Sequence, residues 1–211
     1  MNLMNYQVVF ISYLLGAIPF AFILTKYKTG NDIRDLGTGS IGAMNTFEST
    51  NSHLFGVLVF LLDALKAVLA VSIAKWISGG NMYTVSLACV FAMLGHNYSA
   101  FMGFKGGRGL APAVGGIAMI NPVGIFFWAL MWVTSYFVIK KDVHIANVAA
   151  SLLAPVLLIS APDLVLWKTQ TMGFSRLWDY KTLYILMNIL IVVKHISPIK
   201  KMIDEIKDGE F

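Results

Sequence analysis

Long apolar runs parted by short polar connections recur along almost the whole chain, and few folds can accommodate that pattern. A run of about 20 uncharged residues can satisfy its backbone inside a bilayer only as a helix. Apolar residues make up 57% of the chain and charged ones 13%, with a mean hydropathy of +0.71, which excludes a water-soluble domain. The chain therefore reads as an all-α membrane protein of about seven transmembrane helices with cytoplasmic glycine-rich loops. With no linker and no repeat in view, residues 1–211 form a single polytopic membrane domain.

The first expected span runs from about Tyr6 to Leu24, crosses Pro19, and ends at Lys26 and Lys28. No basic segment precedes it and no small-residue cleavage site follows, so no cleavable signal is expected. Residues 29–53 are polar and glycine-punctuated, a loop with room for a short interfacial helix. A second span covers Leu54 to about Ile77, and Gly79-Gly80-Asn81 turns the chain into a third, Met82 to about Met102. Asn121-Pro122 then divides the next apolar stretch into a short helix, Leu110 to Ile120, and a longer one, Val123 to about Ile139. The short helix either crosses inside the bundle or is re-entrant. A sixth span covers about Val143 to Ser160. The polar connection Ala161 to Asp179, with Trp167 and Trp178 suited to the interface, leads to a seventh, Tyr180 to Val193, and a polar tail ending in Phe211.

Basic residues assign the sides. Lys26, Lys28, Arg34, Lys105, Arg108, Lys140, Lys141, Lys194, Lys200, Lys201 and Lys207 fall in alternate connections, against Lys75, Lys168, Arg176 and Lys181 in the others. The first side is read as cytoplasmic. Lys and Arg exceed Asp and Glu by 16 to 11, yet no basic helix or aromatic platform gathers them, so a nucleic-acid partner is not expected. The single cysteine, Cys89, lies in an apolar run and is expected as a small core residue.

Two glycine clusters fall on the cytoplasmic side. In Gly103-Phe104-Lys105-Gly106-Gly107-Arg108-Gly109, glycines let backbone N–H groups converge while Lys105 and Arg108 add cationic donors, a composition suited to phosphate. The alternative is a flexible basic turn. Gly37-Thr38-Gly39-Ser40-Ile41-Gly42 matches a dinucleotide-binding glycine pattern, but no strand precedes it, so only its capacity to approach an anion survives. Asp63 and Lys66, three apart within the second span, are expected to pair with each other or with the site, as packing or as chemistry. His53, His96, His144 and His195 all lie near the cytoplasmic face, and none is followed four residues later by aspartate. Serine-hydrolase, zincin and paired-thiol motifs are missing too, and no metal site is expected. Anion cradles without a nucleophile or base imply catalysis by positioning and electrostatics, with substrates supplying the charge.

Four stretches taken together resemble the bacterial acyl-phosphate:glycerol-3-phosphate acyltransferase family, collinearly over nearly the whole chain. They are Tyr13-Leu14-Leu15-Gly16-Ala17-Ile18-Pro19-Phe20, Gly37-Thr38-Gly39-Ser40-Ile41-Gly42-Ala43-Met44-Asn45, Leu62-Asp63-Ala64-Leu65-Lys66, and Gly95-His96 through Gly109. The resemblance implies acyl transfer from acyl phosphate to the primary hydroxyl of glycerol 3-phosphate, giving lysophosphatidate, the first step of phospholipid synthesis. It implies no cofactor, an acyl chain lodged between helices among membrane lipid, and a substrate phosphate as base, with no protein residue assigned as catalytic. Substrate binding would fall to Thr38, Gly39, Ser40, Gly42 and Asn45 in the first cluster, and to His96, Lys105, Gly106, Gly107, Arg108 and Gly109 in the second. His144, Asn147 and His195 would complete it.

The chain differs from the family's usual pattern in every cytoplasmic motif. Thr38, Ser40 and Met44 replace serine, asparagine and threonine, and Glu48 stands where an arginine is usual. Ser99, Arg108 and Pro112 replace proline, lysine and threonine. His144 and Asn147 replace serines, and Ile196 and Pro198 replace arginine and asparagine. Two further readings follow: a divergent paralogue with another acceptor or with anionic-lipid binding alone, and a small transporter or channel.

Overall fold

The computed structural model describes residues 2–173 and 175–207, and these form helices joined by short connections. Helix α1 (Leu3–Ala17) starts under the Asn2 side chain, which accepts the Asn5 N–H at 3.0 Å. The first expected span is not one straight helix. Pro19 has no N–H to give and holds Ile18 at φ −57°, ψ 119°, so α1 stops and α2 (Phe20–Thr29) begins beyond the proline. A single 3-10 turn over Ile33–Asp35 and helix α3 (Ala43–Thr50) fill the following polar region.

Helix α4 (His53–Ser78) is followed by α5 (Met82–Asn97), which ends five residues short of the expected Met102. The chain turns at Tyr98 because it is tied to α1 there: Tyr13 Oη donates to Tyr98 O at 2.6 Å and Ser99 Oγ to Ala17 O at 2.6 Å. After the 103–109 loop come α6 (Leu110–Ala118), α7 (Val123–Val138) and α8 (Val143–Ser160). The expected break at Asn121-Pro122 is present, and its freed groups are satisfied. Tyr180 Oη donates to Asn121 O at 2.9 Å, Tyr184 Oη to Gly124 O at 2.7 Å, and Asn121 Nδ2 to Leu166 O at 2.9 Å. The connection after Ser160 contains a short helix, α9 (Asp163–Thr169).

The last helix, α10 (Leu177–Lys207), does not end at Val193 as expected but carries on through His195 and Pro198. The end of the polar tail, 208–211, lies outside the described residues.

Among the described residues four segments are long and apolar enough to cross a membrane: Leu3–Thr29, His53–Ser78, Val143–Ser160 and Leu177–Lys200. Val123–Val138 is a shorter apolar helix. Burial runs the opposite way to that of a water-soluble protein. Along α4, Leu54, Leu61, Leu65 and Leu69 are exposed by 63%, 56%, 48% and 46%, whereas the charged Asp63 and Lys66 of the same helix are 2% and 3% exposed. The core lies where small residues let backbones meet. A Cβ on Gly16 would strike the Ala92 carbonyl and one on Gly95 the Tyr13 carbonyl, so α1 and α5 touch main chain to main chain. α6 lies equally close to α4, with Gly115 against Ala64 O.

Candidate functional site

Asn45, in the first turn of α3, shapes the first glycine cluster. Its amide Nδ2 donates to Ile33 O, Leu36 O and Ser40 O at 3.2, 3.1 and 2.9 Å, and Oδ1 accepts the Thr38 N–H at 3.0 Å. Gly39 N donates to Leu36 O at 2.9 Å. The Thr38 and Gly39 N–H groups are therefore used within the loop.

The second cluster is folded over the end of α5. Phe104 N donates to Ser99 O at 2.8 Å with Phe104 at φ 59°, and Gly107 N donates to His96 O at 3.1 Å. Gly107 has to be glycine, because a Cβ there would fall on His96 Nε2. Lys105 is exposed, while Arg108 turns inward, its Nη1 donating to His144 Nδ1 at 3.0 Å. Burial draws the Arg108 guanidinium below its ordinary value and the charge of Glu48 raises it; arginine stays protonated throughout. His144 is held by the start of α8, where Asp142 Oδ1 accepts the N–H groups of His144 and Ile145 at 2.8 and 2.9 Å.

These segments surround a cavity of about 710 Å³. Thr38, Ser40, Gly42, Asn45, His96, Arg108, Gly109, His144 and Asn147 all line it, as do Glu48 and Asp63. Its apolar lining comes from Val57, Phe60, Leu110, Ala111, Trp128 and Trp132. Gly39, Lys105, Gly106, Gly107 and His195 are not part of the wall. His195, fully buried, sits behind Asn147 in a bonded chain. Trp132 Nε1 donates to Asn147 Oδ1 at 2.7 Å, Asn147 Nδ2 is 3.1 Å from His195 Nε2, and His195 Nδ1 is 2.8 Å from Ile191 O. That arrangement assigns the proton to Nδ1 and leaves Nε2 as acceptor.

The donors that do reach the cavity are helix N-termini. Gly42 before α3 and Gly109 before α6 offer no capping side chain, and Gly42, Ala43, Met44, Gly109, Leu110 and Ala111 all line the wall. First-turn N–H groups have no partner within their own helix, so two helix ends with their partial positive charge open on one cavity beside Arg108. Sequence reasoning missed this because it assigned the donors to the glycines rather than to the helix starts behind them. It also left Trp128 and Trp132 in an anonymous span. No three His, Cys, Asp or Glu side chains among the described residues gather to hold a metal ion.

A polar end rich in anion donors joined to an apolar wall fits a phosphate-bearing lipid or its precursors. The family model described as "Glycerol-3-phosphate acyltransferase" matches residues 6–205. The chain belongs to the glycerol-3-phosphate acyltransferase family. Relatives of that name include a Pelagibacter ubique protein, 41% identical over 160 residues, covering 74% of this chain and 80% of its own. Another, from Syntrophomonas wolfei, is 31% identical and covers 93% of this chain and 90% of its own. Among solved structures, the glycerol 3-phosphate form of PlsY (YgiH), described as an integral membrane glycerol 3-phosphate acyltransferase, superposes with a TM-score of 0.76. It is 30% identical, and the match covers 97% of this chain and 92% of that one. The lysophosphatidic acid form of PlsY gives 0.75 at 28% identity, over 95% and 92%. Membership of this acyltransferase family makes the chain an integral membrane protein of PlsY fold.

Proposed function

We propose that this chain transfers a fatty acyl group from acyl phosphate to the primary hydroxyl of glycerol 3-phosphate. The hydroxyl oxygen bonds to the acyl carbonyl carbon, the carbon–oxygen bond to phosphate breaks, and a substrate phosphate oxygen takes the hydroxyl proton. Lysophosphatidate and inorganic phosphate leave. The observation that carries the reading is the convergence of two uncapped helix N-termini and Arg108 on a cavity with an apolar wall. Donors aimed at phosphate oxygens stabilise the departing charge, and fixed orientation replaces a protein base. Substrate phosphates bind Arg108, His144 and the first turns of α3 and α6, with the Thr38 and Ser40 hydroxyls alongside. The acyl chain lies along Val57, Phe60 and Trp128.

Seven crossings with both glycine clusters on the cytoplasmic face of a bacterial cell membrane complete the proposal. α5 and α6 are shorter than a full span but line their contacts with Ala88, Cys89 and Gly115, buried positions that suit helices enclosed by the bundle.

A second reading rests on Glu48, a carboxylate lining the anion cavity beside Arg108: a divergent family member with another acceptor, or one that binds anionic lipid without turnover. Purified protein in lipidic mesophase, given acyl phosphate and glycerol 3-phosphate, separates the two. Lysophosphatidate release, lost by at least about 100-fold in Arg108→Ala, establishes the transferase. Phosphate release without lysophosphatidate means another acceptor or hydrolysis, and neither product from folded protein means a binding role.

A further inference from the structure

Asp63, Lys66 and His96 form a buried polar cluster between α4 and α5 that acyl transfer as described does not use. They are 2%, 3% and 7% exposed. Asp63 Oδ1 lies 2.8 Å from Lys66 Nζ and 3.5 Å from His96 Nδ1. The cluster is anchored at both ends. Lys66 Nζ donates to Ile18 O at 3.0 Å, at the break before Pro19. At the other end His96 carries the second glycine loop: its carbonyl accepts the Gly107 N–H, and its Nε2 occupies the space a Gly107 side chain would need. A void of about 10 Å³, room for one water, lies among Ile18, Asp63, Lys66, His96, Ser99 and Gly106.

An ion pair this deep is a poor way to gain stability, because apolar residues of the same volume hold helices together without the cost of desolvation. Its placement is more informative than its energy. Asp63 and His96 line the catalytic cavity, and the loop they support continues directly into Arg108 and the open first turn of α6.

We infer that Asp63 is a positioning residue for phosphate binding, acting through His96 to fix the 106–109 loop; the inference rests on the acyltransferase reading above. An ionised carboxylate only accepts, so Asp63 favours the tautomer with the proton on His96 Nδ1 and leaves unprotonated the Nε2 that abuts Gly107. The other tautomer would carry an N–H on Nε2, aimed at the Gly107 backbone that leads into Arg108. Lys66 neutralises Asp63 and holds it in register with the α1 break.

The test separates positioning from charge burial. Asp63→Leu alone leaves an uncompensated buried lysine and can fail to fold, so the deciding variant is the neutral pair Asp63→Leu/Lys66→Met, which carries neither a buried charge nor an acceptor for His96. Its thermal unfolding in detergent reports folding, and steady-state kinetics report KM for glycerol 3-phosphate separately from kcat. Positioning predicts a KM raised about 10- to 100-fold in a protein that melts like wild type. It also predicts that the neutral pair adds little to Arg108→Ala, because both act on the same contact. A wild-type KM in the neutral pair, or effects that multiply with Arg108→Ala, overturns the inference and leaves the acyltransferase reading intact. A wild-type protein without transfer overturns that reading and the inference with it.

Discussion

Arg108 and Glu48 line the same cavity, with Arg108 bonded to His144 and Glu48 acting on it through charge. A phosphate drawn to the guanidinium would be repelled by the Glu48 carboxylate. Glu48→Gln is therefore expected to lower KM for glycerol 3-phosphate by roughly fivefold or less, the range for a partly solvated pair, with the gain shrinking at high salt. Kinetics at two ionic strengths check this, and a raised KM would show that the carboxylate instead binds substrate hydroxyls. At this scale the sequence was only partly readable. Arg108 and Lys105 are indistinguishable by type and spacing, and only the loop's path, with Phe104 at positive φ, sends one inward and the other to the surface. Asn45 was expected at the site through the resemblance alone; it lines the cavity, and four of its hydrogen bonds go to its own loop.

Helix starts carry more of the site than any loop does. α3 and α6 open on the cavity without caps, whereas α8 is capped by Asp142, so its first turn is bonded to that side chain and orients His144. Asp142→Ala should cost about 1 kcal/mol and lower the melting temperature by about 2–4 °C. It should also raise KM as His144 loses its anchor; an unchanged melting temperature in a scanning fluorescence assay would show the cap to be dispensable. The starts of α6 at Leu110 and of α8 at Val143 were read from hydropathy, without their caps. The start of α3 behind Gly42 was hidden, since a glycine before a helix reads as a turn. The long reach of α10 was also hidden. Hydropathy falls at Lys194, but the backbone hydrogen-bond pattern is indifferent to side-chain polarity.

For the whole molecule, hydropathy alone revealed a helical membrane bundle, because a bilayer demands internally satisfied backbone. The depth of polar burial was less visible: nothing in the order of residues says that α4 turns Asp63 inward and Leu65 outward until neighbours are placed. Sidedness can be tested with thiols. Cys89, the sole cysteine, is buried, so an engineered cysteine reports alone. In intact cells an impermeant maleimide should label Lys168→Cys, whereas Lys105→Cys should react only after permeabilisation; reaction of both from outside would refute the proposed orientation.

One bond spans 97 residues: Lys194 Nζ donates to the Asn97 carbonyl at 2.8 Å, beside the 103–109 loop. Its neighbour His195 accepts at Nε2 from Asn147 Nδ2, 3.1 Å away. Since a polypeptide emerges from its N-terminus, everything from α3 to α8 is made before either fastening exists. A nascent chain still on the ribosome thus lacks both ties until α10 follows.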